Sequence, residues 1–302
     1  MSRESRNWLH LLGLTPRVTA PVMRPNFSLH KSWPILLLSI AFAGCSSGVA
    51  SGAEADARKA AQERYAKAKA LFEERCKTAG VVIKRTVKDV EGIELTKIRQ
   101  PIPWGGKEYF DPMYPEAAMA GEHRGDDYIK QFLMSEFLDP STPNQRGGLG
   151  PPTKEKRRSR PAARSGYAFI EYVDSADGKR YRCTPDWSRD HPNWVDGQHH
   201  CSPVTKTSAR YALDFEDLVD PADRALWIAG TKLRVIDKQT NEAIAELTRY
   251  VWDAGFGVSI TGRWPWSYAA TSGRTECVNV PGVKSEISRF FVDTVLQPKQ
   301  GE

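Results

Sequence analysis

Apolar residues recur at spacings of four and three over residues 53–79. Ala57, Ala61, Tyr65, Ala68, Phe72, Cys76 and Ala79 form one stripe, while Arg58, Lys59, Glu63, Arg64, Lys67, Lys69, Glu73 and Lys77 cover the other faces. That period predicts an amphipathic helix, stopped at Gly80. Residues 81–99 change character: Val81-Val82-Ile83 and Thr86-Val87 suit a strand, Glu91-Gly92 a turn, and residues 93–98 a second strand. A hairpin follows at residues 168–173 and 179–182, where Asp177-Gly178 supplies the positive-φ turn. A second hairpin joins residues 232–237 to 242–252 across Lys238-Gln239-Thr240-Asn241.

Three further segments read as helical. Residues 126–138 place Tyr128, Ile129, Phe132, Leu133 and Phe137 on one side. Residues 213–229 read as an exposed, acid-rich helical stretch, with Asp220-Pro221 as N-cap and first helical position. Residues 285–296 form a C-terminal helix with Ile287, Phe290, Phe291, Val292, Val295 and Leu296 inward, ended by Pro298. The predicted class is α+β: antiparallel β-hairpins form a sheet packed by an N-terminal and a C-terminal helix. The domain runs over residues 56–298, with a flexible Pro- and Gly-rich insertion at 139–165.

The N-terminus carries an address. After Met23, the expected start of a conventional leader, come Arg24 and Lys31, then an apolar run over residues 35–43 and small residues, as in an export signal. The run is too short for a membrane-spanning helix, which needs about 20 residues. Residues 1–44 are therefore read as an extended leader and 45–55 as a flexible tether. Phe42-Ala43-Gly44-Cys45 resembles a bacterial lipobox, which implies lipidation at Cys45 and, with Ser46 following, sorting to the outer membrane. Phe42 stands where Leu is usual, so plain cleavage after Ala43 or Ala53 is the alternative.

Charge adds little to function. The chain of 302 residues has 43 Lys+Arg against 37 Asp+Glu, a net charge of +6. Residues 1–44 account for +4 and residues 146–164 for +6, which leaves the remainder mildly acidic. A basic loop without interleaved aromatics is no nucleic-acid surface, so no nucleic-acid partner is expected. With 40% hydrophobic residues the composition also excludes collagen, a coiled-coil rod and a polytopic membrane protein.

Export changes how the cysteines read. With Cys45 lipidated, Cys76, Cys183, Cys201 and Cys277 remain, an even number in an oxidising compartment. Pairing Cys183 with Cys201 staples an irregular loop, and pairing Cys76 with Cys277 closes a very long one; a buried free thiol at Cys76 is the alternative. A zinc reading competes at the same loop through Cys183, His191, His199, His200 and Cys201. Adjacent His199-His200-Cys201 do not all point easily at one ion, and the disulfide reading is preferred, with no metal or other cofactor expected.

Aromatics are the candidate binding residues: Trp104, Tyr109, Trp187, Trp194, Trp264 and Trp266. Residues 101–125 serve equally as a recognition patch or as the cap of a small core. No Gly-x-Ser-x-Gly elbow, P-loop or dinucleotide fingerprint occurs, and no catalytic residue is assigned. An acid/base set assembled in space from His123, His191, His199, Asp126 or Ser267 stays open.

Glu74-Arg75-Cys76-Lys77-Thr78-Ala79-Gly80, Asp177-Gly178-Lys179-Arg180-Tyr181-Arg182, Trp227-Ile228-Ala229-Gly230, Leu233-Arg234-Val235-Ile236-Asp237 and Thr240-Asn241-Glu242 resemble a family of uncharacterised proteobacterial exported lipoproteins. That family is similar in setting to immunity lipoproteins encoded beside type VI secretion lipase effectors. The resemblance implies a periplasmic protein held by a lipid anchor, whose partner is a protein toxin that it neutralises. The alternative function is a cell-envelope hydrolase or glycan-binding accessory lipoprotein.

Overall fold

The computed structural model describes residues 52–103, 105–139, 142–150, 162–186, 198–259, 262–278 and 284–299. The leader with Cys45 lies outside these residues, as do Trp104, Trp187, His191 and Trp194. Among the described residues, helices α1 (Gly52–Thr78), α2 (Asp126–Leu133), α3 (Pro221–Ala225), α4 (Pro265–Thr271) and α5 (Ile287–Val295) accompany fourteen strands. The first seven are β1 (Gly80–Ile83), β2 (Val87–Val90), β3 (Gly92–Leu95), β4 (Ser135–Asp139), β5 (Thr142–Gly150), β6 (Ala162–Arg164) and β7 (Phe169–Val173). The rest are β8 (Arg180–Asp186), β9 (Gln198–Pro203), β10 (Tyr211–Leu218), β11 (Ile228–Asp237), β12 (Glu242–Trp252), β13 (Glu276–Cys277) and β14 (Leu296–Pro298).

Among the described residues the largest sheet has nine strands in the order β1-β12-β11-β10-β3-β7-β8-β9, with β13 added beside β12. The α+β class therefore holds, and both predicted hairpins are present, as β7–β8 and β11–β12. Gly178 has φ +67 in the first turn, a conformation that favours glycine. The sheet is mixed rather than antiparallel throughout, because β3 runs parallel to both β10 and β7. Smaller sheets pair β14 with β2 and β4 with both β5 and β6.

Period-two alternation sorts the two faces of the large sheet. Ile93, Leu95, Ile170, Leu213, Leu233, Val235 and Leu247 cluster with Tyr128 and Phe132 of α2 and with Phe291 and Val292 of α5. Residues between them carry charge and pair across strands, as in Arg182–Glu171 at 2.6 Å, Arg180–Glu94 at 2.9 Å and Arg234–Asp214 at 3.6 Å. Burial raises the pKa of Glu171, but the Thr207 hydroxyl, Arg182 and the backbone N–H groups of Ser208 and Ala209 hold it down at about 2.

Helix α1 lies against β12, where Tyr65 and Phe72 approach Trp252 with ring centroids at 5.1 and 5.8 Å. Its last turn is fixed by the Cys76–Cys277 disulfide and by Arg75, whose Nε donates to Asp223 at 2.9 Å. Only Ala68 of the predicted stripe is fully buried, and Ala57 and Ala61 are exposed.

Three sequence expectations are corrected. Helix α2 stops at Leu133, so Phe137 belongs to β4 and not to a helix face. The returning chain explains the stop: Tyr167 N–H donates to the Phe132 carbonyl at 2.9 Å and Gly166 N–H to Ser135 Oγ at 3.0 Å. Residues 142–150 and 162–164 form strands inside a stretch read as a break-rich insertion, because β4 provides both with backbone partners. Residues 211–218 are a strand, not a helix: Leu213 and Phe215 face the core while Asp214 and Glu216 alternate outward. The helix is confined to α3, where Asp220 accepts from Ala222 N–H at 2.8 Å as the predicted N-cap.

Four arginines, Arg99, Arg224, Arg249 and Arg289, are fully buried. Arg249 donates to the carbonyls of Ala118 and Ala270 and, at 2.5 Å, to Glu276, itself reached by Lys284 at 2.5 Å. Arg289 holds the carbonyls of Gln131, Met134 and Ser165, and so ties α5 to the end of α2.

Glu122 sits buried at the first turn of α5, accepting from Ser288 N–H at 3.3 Å. Burial pushes its carboxyl up to about 7, against the opposing influence of Arg99, Gln131 and the N–H groups of Ser288 and Ile287. A raised carboxyl favours the fold while protonated. Its contribution is full below about pH 4.5 and is lost as pH rises through about 7, a change on the order of 3 kcal/mol. Glu122→Gln, which mimics the protonated acid, is expected to match the parent near pH 4 and to exceed its stability near pH 8. Urea midpoints measured across that range check this; a variant less stable at both ends contradicts it.

Candidate functional site

The three parallel strands at the middle of the sheet direct their carboxyl ends to one place. A cleft of about 490 Å³ opens there. Its walls come from the chain leaving β3 (Thr96 to Ile98, then Gln100 and Pro101), the end of β7 and its turn (Tyr172 to Ser175), Phe215 of β10, Glu116, and the start of α2 at Gly125, Asp126 and Ile129. The local folding is simple: β3 ends where Thr96 begins a polar stretch, and its hydroxyl anchors to Asp214 at 2.6 Å. Gly125 adopts φ +55 to swing the chain into α2, with its N–H on the Arg99 carbonyl at 2.8 Å.

The cleft combines an apolar base with a mainly acidic lining. Ile98, Ile129, Val173, Tyr172 and Phe215 give the base, and Glu116, Asp126 and Asp174 outnumber Lys97. Lys97 is engaged: its Nζ donates to the Phe215 carbonyl at 2.7 Å, lies 3.6 Å from Asp214 and sits 5.4 Å from the Phe215 ring centre. Glu116 bonds Arg124 and lies 3.5 Å from buried Arg99, which also stacks over Phe215 at 4.1 Å and meets Asp217 at 3.5 Å. Asp174 accepts from Ala176 N–H at 2.8 Å, which fixes the β7–β8 turn. Burial raises the pKa of the Tyr172 phenol, so it enters the cleft as a neutral donor and π-face. Chemically this arrangement suits a cationic group with an apolar stem.

The sequence-selected aromatics lie elsewhere. Tyr109 and Trp266 are buried in a cluster with Trp227, Ala229 and Val251, so both are core residues and not ligand-facing anchors. Trp266 donates its indole N–H to the Asp111 carbonyl at 2.7 Å and stacks on Trp227 at 4.9 Å. Trp264, the N-cap residue of α4, stays half-buried and stacks on Tyr109 at 5.4 Å. Trp227 adopts φ +59, and a Cβ on Gly257 would fall 2.0 Å from its ring, so this cluster demands glycine at 257.

Of the acid/base candidates, Asp126 lines the cleft. His123 approaches Glu286 at 3.9 Å, Ser267 lies within α4, and His199 lies on β9. Tyr172, Phe215, Lys97, Glu116 and Asp174 are site residues that sequence reading did not select; the signal would have been recognition of parallel pairing, which no local pattern carries.

Both expected disulfides are formed, Cys76–Cys277 and Cys183–Cys201. They fit an oxidising compartment. Among the described residues, no helix is long and apolar enough to cross a membrane. Cys183 and Cys201 face each other across β8 and β9 with Cα atoms 4.0 Å apart, and one side-chain ligand atom of His199 lies with both sulfurs inside a 4.8 Å group. Burial lowers the His199 pKa and so favours the neutral ring. No family model, curated protein or solved structure matches this chain.

Proposed function

We propose that this chain is a cell-envelope binding protein, exported, anchored through Cys45 to the outer membrane, and active by engaging a protein partner. The specific reading is an immunity lipoprotein that neutralises a secreted antibacterial toxin of the type VI lipase kind. The observation that supports it best is the cleft at the carboxyl ends of β3 and β7. It offers an apolar base with the carboxylates of Asp126 and Asp174 in its lining, beside a Glu116 already paired with arginine, a receptor for a lysine or arginine projecting from a partner. The leader, the lipobox-like segment and the two disulfides support a location outside the cytosol.

The test uses envelope fractions from cells that make the full chain, with partners captured and quantified. Asp126→Lys combined with Asp174→Lys is expected to weaken capture of the specific partner at least tenfold. Cells exporting the parent are expected to survive co-production of that partner, and cells making a leaderless version are not. Capture that ignores the charge reversal, or protection without export, overturns the reading. A second reading has one observation in its favour: Tyr172 and Tyr181 stack at 5.7 Å beside the cleft, a surface for a sugar ring. It makes the protein a glycan-binding accessory factor, and binding of purified cell-wall fragments by parent and charge-reversed variant alike would favour it.

A further inference from the structure

We propose that Cys183, Cys201 and His199 form a zinc site when the Cys183–Cys201 disulfide is reduced, so that disulfide and metal are two alternative states of one sulfur pair. Strand geometry supplies the three ligands. Cys183 on β8 is directly opposite Cys201 on β9. His199 precedes Cys201 by two residues and therefore projects from the same face of β9. His200 projects from the other face and bonds Ser202 Oγ at 3.0 Å. The objection from sequence, that neighbouring His199, His200 and Cys201 do not converge, thus removes His200 alone.

The three ligand atoms lie within 4.8 Å of one another. Zinc with bonds of roughly 2.3 Å to sulfur and 2.0 Å to nitrogen requires ligand separations of roughly 3.5–4 Å. Cys183 is fully buried while Cys201 and His199 are half-buried, so the site is closed beneath and open on one side. The open side leaves a fourth position for water.

The chemistry balances with an external dithiol as the reductant. A dithiol reductant gives two electrons and two protons to the disulfide and becomes a disulfide itself. Zinc then displaces the two thiol protons to solvent and binds two thiolates and His199. This site is separate from the cleft and does not rest on the reading above.

Cobalt(II) is the probe, because its thiolate charge-transfer absorption reports sulfur ligation directly. The full chain, reduced and kept without air, is expected to take up about one cobalt per molecule with that absorption, and the oxidised chain none. His199→Ala is expected to weaken binding at least tenfold, and His200→Ala to leave it unchanged. Cys76→Ser with Cys277→Ser is expected to retain the band, which assigns it to Cys183 and Cys201. Circular dichroism follows the fold throughout. Absence of the band in folded reduced protein, an unchanged band in His199→Ala, loss of the band in the folded Cys76/Cys277 variant, or a reduced chain that unfolds and is not restored by cobalt each overturns the proposal.

Discussion

Glu276→Leu is expected to lower the unfolding free energy by about 3–5 kcal/mol, and adding Arg249→Met is expected to recover more than half of that loss. Glu276 is 1% exposed and Arg249 is fully buried, with the guanidinium bonded to this carboxylate and to two backbone carbonyls. Removing the carboxylate strands a cation in the interior, and burial already works against the charged form of Arg249. Removing both partners eliminates the stranded arginine charge and leaves the Ala118 and Ala270 carbonyls and the lost Lys284 contact as the remaining cost. Denaturant unfolding of the two single variants and the double variant, combined as a cycle, gives the coupling directly. A Glu276→Leu variant within 1 kcal/mol of the parent would show that the pair contributes little.

Replacing both Cys76 and Cys277 by Ser is expected to cost about 5 kcal/mol, against about 3 kcal/mol for the same change at Cys183 and Cys201. The difference follows from chain entropy. The first bridge joins residues 201 apart in sequence and the second joins residues 18 apart, so the first removes far more freedom from the unfolded chain. The long bridge also tethers the end of α1, whose other attachments include the Trp252 contacts, the Arg75–Asp223 pair and the packing of Ala68 in the same cluster. Thermal and urea unfolding of the two double variants rank them, and a larger loss at Cys183–Cys201 would assign the stability to local geometry rather than to loop length.

Sequence reading succeeded where the signal was local. The hairpin at Gly178, the cap at Asp220 and the inward face of α5 each depend on neighbours within a few residues, and each is present. Of the three pairings that four cysteines permit, the one joining a short loop and a very long one is formed, although sequence alone leaves the connectivity open. It failed where a distant segment decides. Tyr128 to Phe137 has helical spacing, yet Tyr167 takes the Phe132 carbonyl and the helix ends. Asp214 and Glu216 looked like a helix face, although their alternation with Leu213 and Phe215 was equally a strand pattern. The candidate site was almost wholly hidden. It is built where β3 lies between β10 and β7, and neither partner is its neighbour in sequence.

That same arrangement sets the timing of assembly. β3 is synthesised early and has no partner in the large sheet until residues 169 and 211 have left the ribosome, and β1 waits still longer for β12. Pairings of such reach place folding at the slow end of the range, milliseconds to seconds, since large loops must close before any contact rewards them. A polypeptide that organises so late stays unfolded while it is being made, which is compatible with the export proposed above.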